Sequence, residues 1–411
     1  MRNLVILGAG TSGTMMANHL VSKLTKKEWC ITIVDQYKTH YYQPGFLFLP
    51  FDIYTEKQVK KTGNRFIPKG VTYIQEKIEK ILPTQNQVIL ANQTLNYDIL
   101  IVATGSKIAP EEVEGMQGAN WQKNVFDFYT YEGALALRNK LREWEGGKLV
   151  VHVTEMPIKC PVAPLEFAFL ADSYFTKKGI RDQVEITYVT PLSGAFTKQY
   201  TSRSLGYLLK DKNINIETDF AIERVDNEQN KIIDYADTEI DFDLLVTVPT
   251  NMGDDLIERS GMGDDLNFIP THKHTLQSLE HENVFVIGDA TNLPASKAGS
   301  VAHFQAETLT DNILLFIANK PLKEEFDGHA NCFIETGNNK ALLIDFNYEQ
   351  EPVEGTFPIP RIGPLRLLKE SRFNHWGKLA FRWIYWNMLL KGIPIPFVGR
   401  NMSLKGKNIN Y

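Results

Sequence analysis

A chain of 411 residues that is 43% hydrophobic and 23% charged, with a net charge of −5, has enough apolar material for two or three domains. No apolar run approaches the roughly 18 residues of a membrane-crossing helix, and three cysteines do not make a secreted disulfide framework. The first strand begins almost at once, which leaves no room for a cleavable signal and predicts the cytoplasmic side.

Residues 4–7 predict an apolar strand, Gly8-Ala9-Gly10-Thr11-Ser12-Gly13 follows directly, and residues 14–23 have helical apolar spacing. Strand, glycine turn and helix together form the context of a dinucleotide fingerprint. Gly8 permits the tight turn, Gly10 lets the backbone approach a pyrophosphate, and Gly13 lets helix and strand close up, while Thr11 and Ser12 start a helix whose N-terminus favours phosphate charge. A second strand over 30–34 ends in Asp35, whose carboxylate suits a ribose hydroxyl, with Gln36 beside it. Tyr42, Gln43 and Pro44 are expected at the cofactor's edge and Ile78 against it. Further on, the strand 97–102 closes on Ala103-Thr104-Gly105, and the strand 283–287 closes on Gly288-Asp289 ahead of a helix over about 300–317. Both segments resemble flavin-binding segments of flavoproteins with two dinucleotide domains. That resemblance implies FAD: the Asp289 carboxylate meets the ribityl chain, and the positive end of the following helix faces the ring.

Between these segments the pattern repeats, with strands near 150, 185–190 and 243–248 and a helix over 164–178, so the class is α/β. The strand 148–153 leads into Thr154-Glu155-Met156-Pro157-Ile158-Lys159-Cys160-Pro161-Val162-Ala163-Pro164-Leu165-Glu166. This loop has no glycine to admit a second pyrophosphate, and it carries a thiol where a nicotinamide cofactor would sit. Lys159 and a helix N-terminus are expected to favour the Cys160 thiolate. Glu166 is a candidate proton acceptor or a structural acid at that helix start. Two tandem Rossmann-like domains follow: 1–115 with 261–325 for FAD, 116–260 carrying Cys160, and a C-terminal region, 326–411, with Cys332 and amphipathic membrane-binding helices.

Residues 361–411 stand apart. From 361 to 411 there are ten Lys or Arg against Glu370 alone, a balance of +9 that leaves −14 for residues 1–360. Phe373, Trp376, Phe381, Trp383, Tyr385 and Trp386 are interleaved with the basic residues. This composition describes a helix lying in the interface of an anionic membrane; a basic helix covering a core edge, or a contact in a homo-oligomer, is the alternative. Nucleic acid is not expected, since no nucleic-acid module accompanies the charge. Cys30 reads as a small buried hydrophobe. Whether Cys160 and Cys332 form a redox pair is left open by their 172-residue separation.

The first glycine loop, Tyr41-Tyr42-Gln43-Pro44-Gly45, Ala103-Thr104-Gly105, Lys159-Cys160-Pro161-Val162-Ala163-Pro164, Gly288-Asp289, Ser296-Lys297-Ala298-Gly299 and the Cys332 segment together resemble, in that order, the sulfide:quinone oxidoreductases. The resemblance implies a monotopic membrane flavoenzyme that oxidises sulfide through a Cys160/Cys332 pair and FAD and then reduces quinone. No cysteine lies between Cys30 and Cys160, which implies the two-cysteine type with non-covalent FAD. Lys297 matches a family lysine near flavin and quinone, with Ala298 next to it. Lys391 resembles a second quinone-side lysine, and His303 would deliver protons to quinone. A membrane NADH:quinone oxidoreductase, a flavocytochrome-type sulfide dehydrogenase and a redox-sensing membrane flavoprotein are the rival readings. The first lacks its glycine loop here, the second has little use for the tail, and the third would be reduced once without turnover.

Overall fold

The computed structural model describes residues 1–409. The chain opens with β1 (Arg2–Leu7), α1 (Thr11–Val21), β2 (Trp29–Val34), β3 (Val71–Ile74) and β4 (Ile99–Val102). It continues through β5 (Val125–Phe126), β6 (Gly147–Val153), α2 (Ala163–Lys178), β7 (Val184–Val189), β8 (Ile214–Glu217) and β9 (Leu244–Val248). β10 (Val284–Val286), α3 (Gly299–Ile317), β11 (Ala330–Gly337), β12 (Lys340–Phe346), β13 (Gly355–Ile359), β14 (Gly363–Leu367) and α4 (Arg372–Asn387) complete the main frame.

Two five-stranded parallel sheets result, in the orders β10-β4-β1-β2-β3 and β5-β9-β6-β7-β8. Their central strands are near-continuous apolar runs because both faces are covered: Leu4, Val5, Ile6 and Leu7 are all buried, as are all of Ile99–Val102 and Leu244–Val248. In the first sheet the strand order reverses at β1, between β2 on one side and β4 on the other. The crevice beyond the carboxyl end of β1 is therefore where such a sheet receives a ligand. A short antiparallel pair, Ser106–Ile108 with Asn251–Gly253, carries the chain out to the second sheet and back at one place. α1 begins at Thr11 rather than at 14, because Gly10 already serves as its N-cap and Gly13 lies inside the first turn.

The C-terminal region departs from the helices expected of it. Its first part is a four-stranded sheet, β11-β12-β14-β13, and one long helix, α4, packs on it. Ser371 caps that helix by accepting from Asn374 N at 3.0 Å. Asn374, wholly buried, donates to the carbonyls of Ala341 (3.1 Å), Arg366 (2.8 Å) and Lys369 (3.0 Å) and accepts from Arg366 N (3.0 Å), which ties helix to sheet. The opposite face leaves Phe373, Trp376 and Trp383 54%, 57% and 61% exposed. Among the described residues no helix is long and apolar enough to cross a membrane.

Candidate active site

The glycine loop is closed by contact. A Cβ on Gly13 would lie 1.9 Å from the Gly8 carbonyl oxygen, so only glycine lets α1 sit on β1 at this point. Asp35, at the end of β2, accepts from Ala9 N at 2.6 Å and Tyr37 N at 2.8 Å; burial raises its carboxyl, opposed by those N–H groups. Gly10 faces open space, with nothing within 4 Å of a built Cβ.

The loop opens into a cavity of about 730 Å³ at the junction of the two parallel sheets and the C-terminal sheet. Of the expected cofactor contacts, Gly13 and Gly288 lie behind the lining and the rest face the cavity. Gly288 is set back because it packs on Ser12, whose Oγ would be 2.2 Å from its Cβ. The wall fits a flavin dinucleotide. Gly10 leaves room for a pyrophosphate, Thr104 Oγ1 and Ser106 Oγ are buried without partners, and the N-terminal residues of α3, Gly299 and Ser300, border the space. Lys297 lines it too, but its ammonium is turned onto the Asp289 and Thr291 carbonyls (2.9 and 2.7 Å) and over the Phe268 ring (3.7 Å). Burial pushes Lys297 down to about 8, with Asp289 opposing.

Two cysteines from opposite ends of the fold meet the same cavity. Cys160 sits just ahead of α2 in a left-handed conformation, φ 46°, uncommon for a side-chain-bearing residue. Its N–H donates to Lys297 O (2.8 Å), and its carbonyl accepts from Ala163 N (2.8 Å). Tyr129 Oη holds the same turn through Lys159 O at 2.7 Å. Cys332 comes from β11, paired in register with Ile344 of β12. Both are free thiols, and each bears on the cavity. The expected thiolate-favouring surroundings of Cys160 are not found. Burial drives its thiol well above the ordinary value, Glu166 adds to this, and Lys378 opposes it. Lys159 is half-buried and directs its ammonium to Ser106 O at 3.3 Å. Cys332 is pushed up to about 12, again first by burial, with Lys378 opposing.

Glu166, on the first turn of α2, is fully buried against this space and is pushed up to about 7 by burial, with Lys378 opposing. Its Oε1 accepts from Glu335 N at 2.7 Å and from the Lys378 ammonium; its Oε2 has no partner. Lys378, from α4, also donates to Phe333 O at 2.9 Å, and it is raised because the Glu166 and Cys160 charges outweigh its own burial. The sequence did not single out this lysine; its one signal is that it shares an α4 face with His375, one turn earlier, which bonds Glu335 at 2.9 Å.

Two expected residues lie elsewhere. Lys391 is exposed in the turn after α4 and does not line the cavity. His303 is buried in α3 away from the lining, 3.6 Å from Glu307, and burial pushes it down to about 4. A helical step separates it from Ala302, which does face the cavity.

A mixed α/β body with a dinucleotide crevice and two thiols on one cavity defines a flavin-dependent oxidoreductase class, and the chain belongs to the pyridine nucleotide-disulphide oxidoreductases, whose family pattern matches residues 2–306. Within that class it is similar to the mitochondrial sulfide:quinone oxidoreductases of Dictyostelium discoideum, 28% identical over 95% of this chain and 86% of that protein, and of Mus musculus, 25% identical with the same coverage. Among solved structures, the sulfide:quinone oxidoreductase of the hyperthermophilic bacterium Aquifex aeolicus matches with a TM-score of 0.77 at 22% identity, covering 96% of this chain and 92% of that one.

Proposed function

We propose that the chain is a sulfide:quinone oxidoreductase, with sulfide and a membrane quinone as its substrates and non-covalent FAD as its cofactor. The observation that carries the reading is the convergence of Cys160 and Cys332 on the cavity of the dinucleotide loop, where a nicotinamide site would need glycines that residues 154–160 lack. On this reading 1–115 and 261–325 hold the flavin, 116–260 carry Cys160, and 326–411 supply Cys332 and the membrane-facing helix.

Cys160 and Cys332 are free thiols in this structure; once they have lost two electrons to the quinone by way of the flavin site and are bridged, hydrosulfide attacks the disulfide: one S–S bond forms, one breaks, and a persulfide and a thiolate remain. The Lys378 ammonium stabilises the negative sulfur, and the free Glu166 Oε2 takes the persulfide proton. Re-closing the bridge with the new sulfur inside it releases two electrons. A flavin held at Gly10, Thr104, Ser106 and the start of α3 would supply the two-electron acceptor between that sulfur and the quinone. Phe333, Phe357, Leu365, Phe381 and Ile384 give the cavity an apolar side suited to a quinone ring. The exposed Phe373, Trp376 and Trp383, beside the basic tail, hold the protein peripherally on an anionic lipid surface, on the cytoplasmic face.

Anaerobic absorbance tests this directly. Sulfide should bleach the flavin, a soluble quinone should restore it over many cycles, and Cys160→Ser or Cys332→Ser should each retain flavin yet abolish bleaching by sulfide. Bleaching by NADH and not by sulfide would replace the proposal with an NADH:quinone oxidoreductase.

A further inference from the structure

Tyr385, near the end of α4, is 1% exposed and lies between two residues of the N-terminal half. Its hydroxyl is 2.7 Å from Thr11 Oγ1 and 2.7 Å from His40 Nε2, and the other nitrogen of His40 is 3.1 Å from the Ala9 carbonyl. The direction of each bond follows from the chemistry of its ends. A carbonyl only accepts, so His40 Nδ1 carries the hydrogen. Burial pushes His40 down to about 4, so at neutral pH the ring is neutral and Nε2 is an acceptor. Tyr385 must then donate to Nε2, since its other acceptor, Tyr41 O, is 3.4 Å away. Its oxygen is left to accept from Thr11. The chain of donors therefore runs one way, from Thr11 to Tyr385 to His40 to Ala9.

Its two ends flank Gly10, the open residue of the dinucleotide loop. The hydroxyl hydrogen of Thr11 is committed to the helix and not to a ligand in the cavity. Thr14 Oγ1 adds a second bond to the Ala9 carbonyl at 2.9 Å, and Trp386 anchors the next position of α4 by donating to Gln58 O at 3.2 Å. Tyr385 thus reaches the loop twice, directly at Thr11 and through the His40 ring at Ala9.

We infer that Tyr385 is a positioning residue of the flavin site, clamping the Ala9 and Thr11 sides of Gly10 so that tight retention of FAD requires α4 to be docked. The inference rests on the flavin reading and not on the sulfide reading, because retention is measured without sulfide or quinone.

The test is the rate at which the purified holoenzyme releases FAD, followed by the fluorescence of the freed flavin after dilution. Tyr385→Phe removes one donor and one acceptor and should speed release about tenfold, the equivalent of losing one to two buried hydrogen bonds. Thr11→Val should act similarly, and Thr11→Ser should restore a rate within about twofold of the unaltered protein. Because both changes break one chain, the Thr11→Val/Tyr385→Phe double variant should release no faster than about tenfold, where independent contributions would multiply towards a hundredfold. Release from a folded Tyr385→Phe protein at the unaltered rate would overturn the inference, and so would multiplication in the double variant. Should Tyr385→Phe not fold, equal release from Thr11→Ser and Thr11→Val would overturn it equally well.

Discussion

Glu166 has no exposed surface, yet only one of its two carboxylate oxygens has a partner. Burial alone would keep it protonated; Lys378 and the Glu335 N–H pull the other way, and the balance falls at about 7. A carboxyl raised from about 4.5 binds more protons folded than unfolded across that interval, so its contribution to stability is present below pH 4.5 and is lost as the pH rises to 7. Glu166→Gln removes the titration. The unaltered protein should therefore lose up to roughly 3 kcal/mol relative to that variant between pH 4.5 and 7, read from urea midpoints; parallel pH profiles would contradict the assignment. Lys378→Met leaves the carboxyl without its cation and should cost about 3–5 kcal/mol, more at pH 8 than at pH 6. Equal losses at the two pH values would show that the ion pair is not what is lost. Cys160 and Glu166 were legible because their loop is contiguous and breaks a pattern. Lys378 was not, since a single basic residue in a basic tail gives no sign of which way it faces.

At the scale of elements, α4 does two jobs on two faces. Asn374, Lys378 and Tyr385 look into the protein, while Phe373, Trp376 and Trp383 look out. Composition favoured lipid for the aromatic stripe and kept a core-covering helix as the alternative; the buried Tyr385 and Trp386 show that part of the stripe belongs to the core. Replacing Trp376 and Trp383 together with Ala should weaken flotation with anionic vesicles and leave the urea midpoint unchanged within about 0.5 kcal/mol, as expected of exposed positions. A lowered midpoint with undiminished flotation would make the face a structural one. The glycine loop gives the opposite case, in which every residue was legible from spacing. Gly13→Ala would force its methyl into the Gly8 carbonyl, and a destabilisation of about 1–3 kcal/mol with loss of flavin absorbance is expected.

For the molecule as a whole, residues 361–411 carry +9 against −14 before them; Lys378, Arg400 and Lys407 are paired with acids of the earlier part, and the other basic residues accompany the exposed aromatics. Binding to anionic vesicles should fall steeply as salt rises from about 0.05 to 0.5 M, as the Debye length shrinks from over 10 Å to below 5 Å, while binding to neutral vesicles stays weak throughout. Salt-independent binding would leave the apolar face as the sole attraction. The α/β class and the central strands of the two parallel sheets were readable from apolar runs. The strand order, the four-stranded C-terminal sheet and the placing of Cys160 and Cys332 on one cavity were not, because they depend on contacts between residues far apart in the chain. That distance also governs when the protein is made whole. The glycine loop is among the first residues to leave the ribosome, but the strand that flanks β4, Val284–Val286, and the tyrosine that braces Thr11 come far later. With translation adding about 5–20 residues per second, the loop waits tens of seconds for its last support, so cofactor loading belongs to the end of synthesis and not to its beginning.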